Sequence, residues 1–213
     1  MLITTIDHIV FGAYSLDEGV DFIYHKLGVM PLQGGKHPLM GTHNALLKLG
    51  RSIYLEIIAI DPDATKPNRP RWFGLDDLQP ASKPKLLTWV VRTNDIQEAM
   101  KRSGLNHGTI ESLQRGVYKW CLTVTADGAM PLQGVAPAII QWRGIYHPAK
   151  HLPGSNVSLL KIEAFLPNAL ELNDSLRAIG YRGRFLAEPL ASNSKPLLRL
   201  TLSGPNGSAV FES

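Results

Sequence analysis

The feature that most constrains this chain is a succession of one strand, one helix and three strands that is written twice. Thr4 to Ala13 alternates and is rich in Ile and Val, and Ser15-Leu16-Asp17-Glu18 follows as a capping box. Leu16, Val20, Ile23 and Leu27 then recur at helical spacing, and Gly28 stands where a left-handed residue ends the turn. Strands are expected over Val29 to Gln33, Asn44 to Leu49 and Ile53 to Ile60, with a glycine-rich loop after the first and Gly50-Arg51-Ser52 before the last. The second copy reads Leu86 to Arg92, a helix capped by Asn94 or Asp95 and running through Ser103, then Thr109 to Leu113, Tyr118 to Thr125 and Ala138 to Arg143. A weaker third copy has a strand over Ser158 to Leu166, a helix over about Ala169 to Ile179 closed by Gly180, and strands over Arg184 to Ala187, Leu197 to Leu202 and Ser208 to Glu212. Each unit leaves one sheet face apolar and uncovered, so repeated units are expected to pair. The expected division is a first module over 1–62, a proline-rich and aromatic linker over 63–85, a second module over 86–150, and a third module or C-terminal extension over 151–213.

Composition narrows the function classes. The chain has 213 residues, 44% of them hydrophobic and 19% charged, and contains no apolar run near the ~20 residues that span a bilayer. No signal peptide is expected at the start, and a single cysteine, Cys121, excludes an internal disulfide and any multi-cysteine zinc site, which suits a reducing, cytoplasmic setting. The net charge of +4 is scattered, so neither nucleic acid nor membrane is an expected partner. No nucleophile elbow, P-loop or dinucleotide fingerprint is present, and Cys121 reads as a buried structural thiol.

Two polar residues stand out in apolar strands: His8 in Asp7-His8-Ile9-Val10 and Glu56 in Tyr54-Leu55-Glu56-Ile57-Ile58. A carboxylate there needs a cation, a hydrogen-bond network or solvent. Taken singly, Glu56 is an outward-facing or salt-bridged residue and His8 a hydrogen-bonded core histidine. Together they suit a divalent ion such as Zn, Mn, Ni or Fe, with His43 as a third candidate ligand. The loop from Gly34 to Asn44 offers Lys36, Thr42, His43 and Asn44 to an oxyanion, or is an ordinary wide turn.

Asp7-His8, GGKHPLMGTHNALLKLG at 34–50, YLEIIAIDP at 54–62 and RWFGLD at 71–76 together resemble the glyoxalase-like proteins of the vicinal oxygen chelate superfamily, over residues 4–150. The resemblance implies an α+β fold in which paired βαβββ modules form a half-open barrel around a divalent metal. It implies His8 and Glu56 as metal ligands, and Gln141 as a weaker one on the last strand of the second half, where Thr88-Trp89-Val90 offers none. The leading expectation is therefore a metal-dependent lyase, isomerase or dioxygenase acting on a small oxygen-rich substrate, with His8, Glu56 and His43 holding an ion that acts as a Lewis acid. Glu56 and His43 are the expected catalytic residues. Arg71, Arg115 and Lys119 are expected to contact an anion, Asn44 the substrate, and Trp72, Trp120 and Trp142 to wall the pocket. The alternatives are a metal-free binding or sequestering protein on the same fold, and a partner-binding protein that uses an exposed Trp72-Phe73 linker. A homodimer is expected under each reading, because half-barrels complete one another across a two-fold axis.

Overall fold

The computed structural model describes residues 1–213. The first module comprises β1 (Thr4–Gly12), α1 (Leu16–Leu27), β2 (Leu32–His37), β3 (Thr42–Lys48) and β4 (Tyr54–Ile60). The second comprises β5 (Lys85–Thr93), α2 (Ile96–Ser103), β6 (Thr109–Arg115), β7 (Tyr118–Val124) and β8 (Ala138–Arg143). Local chemistry sets both helices. Ser15 Oγ accepts the Glu18 amide, and Gly28 closes α1 at φ 76°; Asp95 accepts the Glu98 amide, and Gly104 closes α2 at φ 72°.

The two modules share one eight-stranded sheet in the order β2-β3-β4-β1-β5-β8-β7-β6. Within each module the first and last strands run parallel, and β1 meets β5 antiparallel at the centre, with Ile9 opposite Trp89. This is the expected curled half-barrel of paired βαβββ units. Both halves lie in one chain, so closing the barrel calls for no second copy. β2 begins at Leu32, later than expected, and runs through Gly34-Gly35 to His37, with a register shift between Gln33 and Lys36. The glycine pair is thus part of a bulged strand and not a loop.

The C-terminal segment follows the same succession: after the short helix α3 (Pro148–His151) come β9 (Ser158–Leu166), α4 (Ala169–Ala178), β10 (Leu186–Pro189), β11 (Leu197–Gly204) and β12 (Gly207–Glu212). Its strand order is β10-β9-β11-β12, which puts its first strand between two strands of its own module, whereas β1 and β5 each lie at the end of their module's four. It covers the convex side of the large sheet. Phe211 packs edge-on against Phe11 at 5.0 Å, Phe185 stacks on Trp89 at 4.7 Å, and Ser175 Oγ lies 2.8 Å from Ser103 Oγ, joining α4 to α2. The main core lies between these layers and includes Ile9, Phe11, Trp89, Ile162, Leu200 and Phe211. No helix is long and apolar enough to cross a membrane.

The concave side is filled by the linker, here called the strap. Trp72, Phe73, Leu75 and Leu78 are buried with Val10, Ile58, Val90, Leu122 and Ile140. Trp72 and Phe73 are only 4% and 5% exposed, which removes them as a free partner-binding surface.

Phe211 is the aromatic anchor between the C-terminal sheet and the centre of the large one. Phe211→Ala is expected to lower unfolding stability by about 3 kcal/mol in urea titrations, the usual cost of emptying a buried aromatic site. A loss within ordinary surface-mutation scatter would show that the C-terminal layer does not brace the sheet.

Candidate active site

Alternation along the strands selects which side chains face the concave side. On β4 these are Tyr54, Glu56 and Ile58; on β3, paired in register, Asn44 and Leu46; on β1, His8 and Val10. The His8 ring stacks on Tyr54 at 4.7 Å, and its Nε2 lies 3.4 Å from Glu56 Oε2. Its Nδ1 lies 2.7 Å from Oδ1 of Asp7, the preceding residue. Neighbouring residues of a regular strand point to opposite faces, but the β1–β5 register shifts between Ile6 and His8, so Asp7 is the extra residue of a bulge. The bulge is what lets the two side chains meet.

Asp7 is fully buried. Its Oδ2 accepts from Trp142 Nε1 at 3.0 Å and His147 Nε2 at 3.0 Å, and Arg92 Nη1 stands 3.6 Å away. His147 Nδ1 accepts the Ala149 amide at the start of α3, which leaves the ring proton on Nε2, facing Asp7. Burial pushes the Asp7 carboxyl up, but the hydrogen bonds from His147 and His8 outweigh it and hold the group well below the usual carboxylate range. Burial likewise pushes the His8 imidazole down, and its hydrogen bonds to Asp7 and Glu56 outweigh that and raise it to about 9. For Glu56, burial is opposed by His8 and then by His37 and Asn44, and its pKa falls to about 2. The resting site therefore holds an imidazolium between two carboxylates.

Asn44 joins this chain to a guanidinium. Its Nδ2 donates to Glu56 Oε1 at 2.5 Å, while its Oδ1 accepts from Gly35 N at 2.8 Å and Arg115 Nη1 at 3.2 Å. Arg115 Nη1 also donates to His37 Nε2 at 3.0 Å, and His37 Nδ1 lies 3.2 Å from Thr42 Oγ1. Burial pushes His37 down to about 4, so it is a neutral acceptor. The Gly34-Gly35 pair makes this closure possible. A Cβ at Gly34 would lie 2.1 Å from Asn44 Oδ1, and one at Gly35 would lie 2.8 Å from Arg115 Cδ. Arg115 ends β6 and Gly35 lies on β2, the two outer strands of the sheet, so the curled edges meet here. Arg115 makes no ion pair with a carboxylate. The cavity is ≈ 30 Å³, space for about one water, and is lined by His8, His37, Asn44, Glu56 and Arg115 with Tyr54, Trp72, Phe73, Trp120 and Trp142 among its walls.

The structure thus brings His8, Glu56, Asn44, Arg115, Trp72, Trp120 and Trp142 together as expected. Four other expectations are corrected. His43 alternates with Asn44 and pairs with Lys36 and Ala59, on the opposite face of β3, so it is neither a ligand nor a base here. Gln141 sits beside Cys121 on the convex face, where its Oε1 accepts the Ile96 amide at 3.0 Å and its Nε2 donates to Asn94 O at 3.2 Å; it fastens the start of α2. Lys119 is exposed on the other face of β7 from Trp120. Arg71 is buried in the strap, where its Nη1 pairs with Asp76 at 2.6 Å, and it does not line the cavity. Asp7, His37, Tyr54 and His147 join the site without having been assigned a role from sequence, and Phe73, expected only as part of an exposed linker, joins it as a wall.

These side chains do not make up a metal site. No group of three His, Cys, Asp or Glu residues is placed to hold an ion, and the concave positions of β5 and β8 carry Thr88, Val90, Ala138 and Ile140, with the Thr88 hydroxyl donating to Gly134 O. The cavity instead presents a guanidinium, which repels a divalent cation.

The family model described as a glyoxalase-like domain matches residues 6–180. The chain belongs to that family. A hypothetical protein from Staphylococcus aureus is similar to this glyoxalase-like chain at 15% identity and a TM-score of 0.55, covering 98% of this chain and 84% of that one. A mutant 4-hydroxymandelate synthase from Streptomyces coelicolor matches at 12% identity and a TM-score of 0.55, covering 100% of this chain and 62% of that one. A methylmalonyl-CoA epimerase from Mycobacterium tuberculosis gives 14% identity and a TM-score of 0.44, over 66% and 88% of the two chains. No curated protein matches by sequence. The vicinal oxygen chelate fold read from the motifs is therefore the fold of this glyoxalase-like chain.

The charge arrangement sets a pH profile for stability. His8 holds its proton more tightly when folded, so its contribution is complete below pH 6.5 and is lost as pH rises through about 9. His37 and His107 are buried neutral with pKa values near 4, so stability falls as pH drops from 6.5 towards 4; the Glu56 contribution is lost below 4.5, as pH falls towards about 2. Melting temperature measured by calorimetry is expected to peak near pH 6.5 and decline on both sides. In His8→Gln the decline between pH 6.5 and 9 is expected to flatten, and an unchanged slope would show that His8 is not the protonated partner.

Proposed function

We propose that this protein is an enzyme that moves a proton at a carbon next to a carbonyl of a small anionic substrate, an isomerase or lyase working by acid–base chemistry. One observation carries the reading: a guanidinium without a carboxylate partner faces the same cavity as a buried imidazolium–carboxylate pair. Buried or half-buried charges are normally paired, so Arg115 is the place for the substrate's carboxylate, with bidentate geometry available to it.

The division of labour follows from the surroundings. His8 presents a single free-facing donor, Nε2–H, because Asp7 holds Nδ1. A substrate carbonyl oxygen accepting from Nε2 takes the place of Glu56 at that proton. Losing this hydrogen bond removes the strongest influence that keeps Glu56 acidic, so burial weighs more against the remaining ones and the carboxylate becomes more basic. Substrate binding thus prepares the base. Glu56 takes the C–H proton and His8 donates to the oxygen, giving an enol. Return of the proton on either face completes an isomerisation, and expulsion of a neighbouring leaving group completes an elimination. Asn44 keeps Glu56 oriented through the Oε1 contact, and Asp7, fixed by Trp142 and His147, keeps the imidazole in one orientation.

The test is exchange of the methyl protons of pyruvate and the methylene protons of 2-oxobutyrate with D2O, followed by proton NMR. The protein is expected to catalyse exchange of at least one of them. Glu56→Gln is expected to lower the rate by about 10²-fold or more while circular dichroism is unchanged. Chelator treatment is expected to leave the rate as it was. Exchange that is abolished by chelation and restored by a divalent ion overturns the acid–base reading, and carboxylate binding with no exchange of either acid favours the binding-protein alternative.

A further inference from the structure

A cavity of ≈ 30 Å³ is far smaller than any substrate with a carbonyl and a carboxylate, and what limits it is the strap. A second internal cavity of ≈ 10 Å³ lies further along the concave face, lined by Thr88, His107, Thr123, Met130 and Ala138 among others. Trp72 and Phe73 line both cavities, and no other residue does. They are the wall between the two.

Three signs mark that wall as imperfectly satisfied in its present position. Trp72 Nε1 is buried without a hydrogen-bond partner, and so is Nε of the adjacent Arg71. Phe73 holds a left-handed conformation at φ 59°, next to Gly74 at φ 63°, which a residue with a side chain rarely adopts without compensation. At the far end, His107 is buried with Nε2 2.6 Å from Ser103 Oγ, while its Nδ1 has no partner. Beneath the wall the floor is continuous and apolar, with Val90, Leu122, Ala138 and Ile140 contributed by three strands of the second module. The strap is meanwhile pinned outside the wall, where Arg69 pairs with Glu111 at 2.7 Å and Gly74 N donates to Gly128 O at 2.9 Å.

We infer that Trp72 and Phe73 form a displaceable wall, and that the natural ligand is a carboxylate with an elongated apolar body. The inference rests on the anion-binding role proposed for Arg115. The carboxylate sits at Arg115, the body takes the place of the two aromatic side chains on the floor, and its far end reaches the unpartnered nitrogen of His107. The strap then determines specificity: a short acid leaves the wall standing, whereas a long one converts two small cavities into one channel.

Calorimetric titration with acetate, 4-phenylbutyrate and the uncharged 4-phenylbutyramide tests this. Native protein is expected to bind 4-phenylbutyrate about 100-fold more tightly than acetate, and the amide more weakly than the acid. Trp72→Ala, or Trp72→Phe if the first variant does not fold, is expected to raise affinity for 4-phenylbutyrate relative to that for acetate, because it removes a competitor for the floor. Amide hydrogen exchange over residues 70–78 is expected to speed up when native protein binds 4-phenylbutyrate. Equal affinity for the two acids, no change in the Trp72 variants, or slower exchange in the strap overturns the displaceable wall and leaves the Arg115 reading intact. Failure of both acids to bind, or binding that Arg115→Met does not weaken, overturns the anion-binding reading on which it rests.

Discussion

The Asp7 carboxylate is the point on which the site depends. A fully buried carboxylate is tolerable only when several donors satisfy it, and those donors come from distant parts of the chain: His8 from its own strand, Trp142 from the last strand of the second module, and His147 from the segment beyond, with the Arg92 guanidinium of β5 nearby as an ion-pair partner. Meeting that one requirement fixes the bulge in β1, docks the segment after β8 against the first module, and orients the imidazole towards Glu56. Because the groups are few and mutually satisfied, losing one leaves another buried and unpaired, so the cluster acts as a unit and not as a sum of contacts.

A second constraint comes from the curl of the sheet. Eight strands that twist in one sense bring the outer strands β2 and β6 towards each other, close enough that a Cβ at Gly35 would lie 2.8 Å from Arg115 Cδ. That approach carries Arg115 from the second module to Asn44 and His37 of the first. Arg115 and the His8–Glu56 pair thus come from different modules and meet only when the barrel closes. The same curl creates an apolar trough, which the chain covers with its own strap.

The family fold was legible because its signals are local. A serine or aspartate cap, a helical stripe and a terminal glycine occur in order before three strands, twice over, and the structure has α1 and α2 where those signals stand. His8 and Glu56 were legible because each breaks an apolar strand, and a polar residue in such a place has to be satisfied by something. Trp72, Trp120 and Trp142 were legible as large apolar groups that water would not accommodate. By contrast, His43 and Gln141 were assigned to the metal by residue type and by the resemblance, and both lie on the wrong face of their strands.

What the sequence by itself determined is the succession of elements, the caps that bound the helices, and the two anomalous residues at the centre of the site, since each depends on neighbours a few positions away. Tertiary structure decided the rest. The face on which a strand residue lies depends on pairing register, and a single bulge residue such as Asp7 changes the outcome for its neighbour. The meeting of Arg115 with Asn44 and the folding of the strap onto the concave floor depend on strands distant in the chain curling around one volume. Charge state follows the same logic: an isolated histidine and an isolated glutamate have ordinary pKa values, and only burial side by side, with Asp7 behind, makes of them a protonated imidazole and a strongly acidic carboxyl.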